Sequence, residues 1–325
     1  MLKIPGVGDF VAAQIKEEEA LKRAEKEIAF IRKNGIKPLF FASKEYPERL
    51  KHCMDSPVLL YTKGRANLNP EKVISVVGTR NATDYGKSVC ERIIEGLKDL
   101  DVFIVSGLAY GIDITAHKAA LKNGLKTAAV LAHGLDKIYP SLHRKTADEM
   151  LENGALLTEF ISGTQPDREN FPQRNRIIAG MADATIVVEA GKKGGALITA
   201  ELANSYNRDV FAVPGNVGEK HSEGCNWLIS RNKAALITCA EELIYMMGWE
   251  PVEKTGKKPV QKQLFVELTP EQKTLVDLLN ENGQMGIDTI CLKTAMSMSK
   301  AAAILLDLEF SGIVAVLPGK VYRLN

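Results

Sequence analysis

Val73-Ile74-Ser75-Val76-Val77-Gly78-Thr79-Arg80-Asn81-Ala82-Thr83 decides the fold of this 325-residue chain. A short run rich in β-branched residues ends in a glycine, and a helical pattern starts near Tyr85, with Val89, Ile93 and Leu97 on one face. The pattern recurs downstream. Apolar runs at 102–105, 128–131, 155–158, 185–188, 210–213 and 235–238 alternate with mostly helical segments. Strands alternating with helices predict a parallel sheet covered on both faces, an extended Rossmann-like α/β domain over residues 68–250. Ligands of such sheets bind beyond the carboxyl ends of the strands.

Outward from that block the chain changes character. Residues 1–67 predict a small helical region. In it, Ile4-Pro5-Gly6-Val7-Gly8 reads as part of a helix-hairpin-helix (SAM-like) unit or as a plain helix-packing turn, and 16–34 as an amphipathic helix. Residues 251–263, with Lys254, Lys257, Lys258 and Lys262, predict a basic extended linker. Residues 264–325 predict three helices and a hairpin, the winged-helix pattern. Thr269-Pro270 opens the first helix, 287–294 is the second, Ser297 or Ser299 opens the third, and 313–317 and 321–324 are the strands.

Composition narrows the function classes. With 45% hydrophobic and 25% charged residues the chain is globular, and a net charge of +2 means that any anion site must be local. Five scattered cysteines without CxxC spacing argue against a disulfide framework and against a metal site, and suit a reducing compartment. No apolar run approaches the roughly 20 residues that span a bilayer. The opening Met1-Leu2-Lys3-Ile4-Pro5-Gly6 holds no apolar signal core, so a cytoplasmic protein is expected.

The candidate chemistry sits in the turns after the strands. Gly86-Lys87-Ser88 echoes the end of a P-loop, but Gly78 stands eight positions before Gly86 rather than five, which rules out that triphosphate site. Arg80, just past the first strand, suits bidentate capture of a phosphate or a pairing with a nearby Asp. Ser106-Gly107-Leu108-Ala109-Tyr110-Gly111-Ile112-Asp113 forms a second glycine turn. Asp113 and His117, at i and i+4, predict a structural hydrogen bond more readily than an acid/base pair. Arg168, Arg174 and Arg176, with Phe171 and Asn175 interleaved, form the connection between the fourth and fifth strands. An aromatic platform among arginines is how single-stranded nucleic acid is held; solvated arginines on an ordinary loop are the plain alternative. Lys192-Lys193-Gly194-Gly195-Ala196 makes a third glycine turn, and 213–216 and 222–227 supply further loops. Many anion donors with no evident nucleophile, catalytic base, metal cluster or cofactor motif point to polyphosphate binding without catalysis.

Taken in order, these motifs resemble the DprA/Smf family of DNA-processing proteins over roughly residues 35–250. They are Val77-Gly78-Thr79-Arg80, Ser106-Gly107-Leu108-Ala109 with Gly111-Ile112-Asp113 and Ala116-His117, Phe171-Pro172 with Arg174-Asn175-Arg176-Ile177-Ile178-Ala179-Gly180, Leu197-Ile198-Thr199-Ala200 and Val213-Pro214-Gly215. The resemblance implies a cytoplasmic homodimer that binds and protects incoming single-stranded DNA in natural transformation and helps load the RecA recombinase. It implies a DNA pocket built on Arg80 and Arg168 and lined by the turn at Lys193-Gly194-Gly195-Ala196, where the family more often carries Ser-Gly-Ser or Ser-Gly-Thr. Asn232-Lys233-Ala234 likewise replaces a family Gly-Ala. On this reading the DNA-binding residues are Gly78, Thr79, Arg80, Ser106, Gly107, Gly111, Arg168, Phe171, Arg174, Asn175, Arg176, Lys193, Gly194, Gly195 and Ala196. Two rivals stand beside it. One is a Rossmann-like nucleoside monophosphate phosphoribohydrolase, suggested by the glycine turn before Thr199-Ala200-Glu201. The other is a duplex-DNA regulator acting through residues 264–325, whose five basic against seven acidic side chains make it a weak phosphate binder.

Overall fold

The computed structural model describes residues 18–249, 268–317 and 319–324. The hairpin reading of residues 4–8 and the linker at 251–263 lie outside the described residues. The chain divides into two compact units, Met1–Thr238 and Cys239–Asn325.

The first unit is built on β3 (Val73–Val77), β4 (Phe103–Ser106), β5 (Thr127–Val130), β6 (Ala155–Thr158), β7 (Ala184–Val187), β8 (Asp209–Ala212) and β9 (Ala235–Leu236). These seven strands run parallel. Helices α3 (Asp84–Gly96), α4 (Ile112–Lys122), α5 (Arg144–Asn153), α6 (Asn170–Gly180), α7 (Gly195–Ser205) and α8 (Glu223–Ser230) fill the connections. Central strands β3 to β7 are buried along their whole length, as residues covered on both faces must be. With antiparallel β1 (Lys37–Phe40) and β2 (Leu59–Gly64), the full sheet runs β1-β2-β6-β5-β4-β3-β7-β8-β9. Strand order reverses between β3 and β7, because the chain builds outward from β3 to β6 and then crosses back to start β7. That reversal opens a crevice at the carboxyl ends of β3 and β7.

Two expectations are corrected. Residues 35–67 are not helical throughout: after helix α1 (Glu18–Asn34), β1 and β2 extend the sheet, with short helix α2 (Glu48–Lys51) between them. Pro38 obscured β1, and it is tolerated because β1 is the edge strand. The segment at Phe171 is not a loop either. It is the first turn of α6, where Pro172 needs no intrahelical partner.

In the second unit, α9 (Ala240–Met246) precedes α10 (Pro270–Asn282), α11 (Ile287–Thr294) and α12 (Met298–Phe310). Thr269 and Gln272 close a capping box on α10, and Ser297 caps α12. Leu275, Leu279, Ile290, Leu305, Leu308 and Val314 form the core. The hairpin β11 (Val314–Leu317) and β12 (Val321–Leu324) gains an unanticipated third strand, β10 (Gln284–Gly286), giving the winged-helix architecture. Among the described residues no single helix is long and apolar enough to cross a membrane.

Candidate nucleic-acid interface

The turns after β3 and β7 are tied to each other before they meet any ligand. Thr79 donates its amide to the Glu189 carbonyl at 2.7 Å, and the Glu189 carboxylate accepts from the amide and hydroxyl of Thr83, the N-cap of α3. Gly86 is glycine because that carboxylate occupies the space of a side chain, which accounts for the P-loop echo without a phosphate. Between these turns lies a cleft of about 1570 Å³ whose walls include Gly78, Thr79, Arg80, Arg168, Phe171 and the turn 191–196. The crossing connection from β6 to β7 carries Arg168 and Phe171 to the cleft.

Phe171 is the centre of the arrangement. The Arg80 guanidinium stands 4.9 Å from its ring centroid, that of Arg174 stands 5.9 Å away, and Tyr139 packs at 6.2 Å and 55°. Tyr139 closes the loop after β5, a position the strand-end rule allows but no motif marked. Trp227, on α8, also lines the cleft and was likewise not singled out.

Charge is left over on the cleft surface. Among the described residues, half-buried Glu223 is matched by Lys192 at 3.3 Å and exposed Glu201 by Lys233 at 3.2 Å. Arg80, Arg168 and Lys193 line the same cleft, are exposed, and enter no ion pair among the described residues. Helix α7 begins at the exposed Gly194-Gly195 with no side-chain cap, so its first amides lack intrahelical partners beside these cations. Ala196, expected beside them, is 8% exposed, so the backbone and not the side chain borders the cleft.

Of the remaining expected residues, Arg174 and Asn175 border the cleft from a buried position, and Ser106, Gly107, Gly111 and Arg176 are not among its walls. Arg174 is 3% exposed: its guanidinium donates to the Gly107 carbonyl at 2.6 Å, to the Val130 carbonyl and to Asn175 Oδ1. Burial pulls it down to about 10, partly offset by Asp113, so it stays charged at neutral pH. It is a clamp on the ends of two strands, because its Nε and Nη1 donors are spent on Asn175 and the two carbonyls. Asn175 extends the clamp, with Nδ2 on the Gly195 carbonyl at 3.3 Å. Arg176 binds the Glu159 carboxylate and the Asp55 carbonyl, so it anchors the start of the crossing connection. The Ser106 hydroxyl is buried and donates to the Val76 carbonyl at 2.6 Å. Gly107 and Gly111 make room for backbone and clamp: a side chain at Gly107 would strike the Arg174 guanidinium, and one at Gly111, where φ is 77°, the Thr79 carbonyl.

No Asp113–His117 hydrogen bond forms. Asp113 caps the turn, accepting from the Gly107 amide at 3.2 Å and the Ala109 amide at 3.4 Å, and burial raises its pKa against the pull of Arg174. His117 Nδ1 meets Thr127 Oγ1 at 2.7 Å, and burial pushes its pKa down to about 3, so it is neutral. Both are structural.

Comparison with known proteins agrees with the fold and the motif order. Residues 37–248 match the family model described as DNA recombination-mediator protein A, and residues 261–320 match the DprA winged helix domain. Protein Smf of Synechocystis is 34% identical over 311 residues, 86% of this chain and 78% of that protein. The X-ray structure of DNA processing protein A (DprA) from Streptococcus pneumoniae superposes with TM-score 0.63 at 40% identity, covering 67% of this chain and 77% of that one. DNA processing protein A from Helicobacter pylori, whose structure is described for its single-stranded DNA binding mode, superposes with TM-score 0.59 at 29% identity, covering 65% and 94%. A strand order that opens a crevice between β3 and β7, the motifs that line it and a winged-helix domain later in the chain place this chain in the DprA/Smf family of DNA recombination mediators.

Proposed function

We propose that the cleft binds single-stranded DNA, and that the protein protects the strand and hands it to a RecA recombinase instead of catalysing a reaction. One observation carries this reading: Arg80 lies over the ring of Phe171 in a cleft where Arg168 and Lys193 also lack carboxylate partners among the described residues. A ring on which bases stack and cations that follow the backbone hold a strand with little sequence preference. The free amides at Gly194 and Gly195 add phosphate donors that no substitution of side chains removes. The Helicobacter pylori relative, described as binding single-stranded DNA, supports the same ligand here. Handover to RecA, assembly as a homodimer, a cytoplasmic location and a role in natural transformation follow from the family and belong to the same proposal.

The phosphoribohydrolase alternative finds less support, because the carboxylates of the cleft are engaged: Asp113 with two amides, Glu201 with Lys233 and Glu223 with Lys192. A labelled single strand titrated at two salt concentrations tests the reading against a duplex of the same length. Tighter binding of the single strand, weakened by Arg80→Glu, is expected. Equal affinity for both forms, or release of ribose phosphate from nucleoside monophosphates, would overturn it.

A further inference from the structure

Helix α1 grips the connection that leads to Arg168 through one buried carboxylate. Glu27 is 7% exposed, and its carboxylate accepts from the Ser162 amide at 3.0 and 3.1 Å and from the Ser162 hydroxyl at 2.6 Å. Arg23, one turn earlier, donates to Glu27 at 2.9 Å and to the Ser162 carbonyl, so both backbone groups of Ser162 are held by one helix. Ser162 lies on the crossing connection, six residues before Arg168. On its other side that connection meets the loop after β5: Asp136 accepts from the Gly163 amide at 2.8 Å, and the Gly134 amide reaches the Thr164 carbonyl at 3.4 Å. That second loop carries Tyr139, which packs on Phe171.

We infer that Glu27 is a positioning residue for the DNA cleft, fixing the connection so that Arg168 stands beside Phe171. The inference rests on the proposed function, since it gives Arg168 a phosphate to hold. Its physical basis is that Arg168 is exposed and enters no ion pair of its own, so its reach is set by the backbone that carries it. Three hydrogen bonds to a buried carboxylate, backed by an arginine, make a stiff anchor. Loss of that anchor loosens the connection at Ser162 and leaves it held by Arg176–Glu159 at the start and by Asp136–Gly163, Gly134–Thr164 and Asn170–Gln165 further on.

A double-mutant cycle on the full-length chain tests this, read as affinity for a labelled oligothymidylate over a salt series. Arg168→Ala is expected to weaken binding by about ten-fold and to lower the salt slope by about 0.7. Glu27→Ala is expected to lower the slope as much by itself, and to add nothing in the Arg168→Ala background. Glu27→Gln, which keeps an acceptor for the Ser162 amide, is expected to fall between. Thermal unfolding is followed alongside, and if Glu27→Ala does not fold, Ser162→Ala, which removes one of the three bonds, replaces it in the same cycle. An unchanged slope in the Glu27 or Ser162 variant, or effects that add to that of Arg168→Ala, would sink the inference while leaving the cleft as the DNA site. No effect of Arg168→Ala would remove the inference, and with an equally silent Arg80→Glu it would remove the DNA reading as well.

Discussion

Replacing Arg174 with methionine separates a buried clamp from a DNA contact, because the two roles give opposite patterns. Methionine keeps the apolar stem and removes the charge and every donor. Three acceptors then lose their donor, the Gly107 carbonyl, the Val130 carbonyl and Asn175 Oδ1, and the Asp113 carboxyl loses the nearby positive charge that favours its ionised form. Leaving a buried polar group unsatisfied costs about 1–3 kcal/mol, and losses within one network overlap instead of adding in full. A unit of this size loses about 2–4 °C per kcal/mol, so Arg174→Met should lower Tm by on the order of 10 °C. The deficit should also depend on pH. Burial raises the Asp113 pKa in the folded protein, so the native state holds its proton more readily than the unfolded chain, and stability falls as pH rises through that interval. Without Arg174 the interval extends further upward. The deficit should therefore be larger at neutral pH than in mild acid, and Asp113→Asn placed on Arg174→Met should recover part of it. The assay is calorimetric Tm at two pH values, with single-strand affinity at two salt concentrations. An unchanged Tm with a salt slope lowered by about 0.7 would show that the guanidinium faces DNA and that the clamp is misread.

Arg80→Glu should weaken single-strand binding and lower the salt slope by about 0.7 or more with little change in Tm, since Arg80 is exposed and enters no ion pair; a fluorescence anisotropy titration over salt checks it. Phe171→Ala should cost about 1–3 kcal/mol of binding through lost stacking, with a salt slope close to that of the parent, which the same titration reads. Gly111→Ala should lower both Tm and affinity, because the new methyl group meets the Thr79 carbonyl and the backbone of Arg80 at a φ of 77°; calorimetry and the titration together test that.

The strands were readable because their signal is local. Seven β-branched runs, each followed by a turn, needed only the strand-end rule to predict a binding rim, and the crevice between β3 and β7 is where that rule puts it. The arginines were harder, because their roles depend on which way a helix faces. Once α6 is known to start at Asn170, Arg174 falls at i, i+3 and i+4 with Ile177 and Ile178, on the buried stripe, whereas Arg168 precedes the helix and stays outside. Reading the segment as a loop hid that periodicity and made three arginines look equivalent. The glycines misled in the same way: Gly107 and Gly111 do announce a close approach, but of a guanidinium and a carbonyl, not of a phosphate. Glu27 had no motif, and Glu189, at the end of its strand, gave no sign of its role, since each acts on a partner more than 100 positions away in the chain.

These residues tie the walls of the cleft to one another and to the sheet. A flexible polyanion loses conformational freedom when it binds, and a site that also had to be ordered would bind it less tightly. Here Arg174 holds the turn after β4 and the end of β5 and stands near the Phe171 ring, Arg176 and Glu27 hold the connection that carries Arg168, and Glu189 holds the turn that carries Arg80. On the proposed function, ordering the site is left to buried and half-buried charges, and contact with DNA to exposed ones. The two sets should therefore separate in experiment: exposed cations should move salt dependence and leave Tm alone, and Arg174 should move Tm first. A variant of Arg80 that unfolded the protein, or one of Arg174 that left it intact, would break that division.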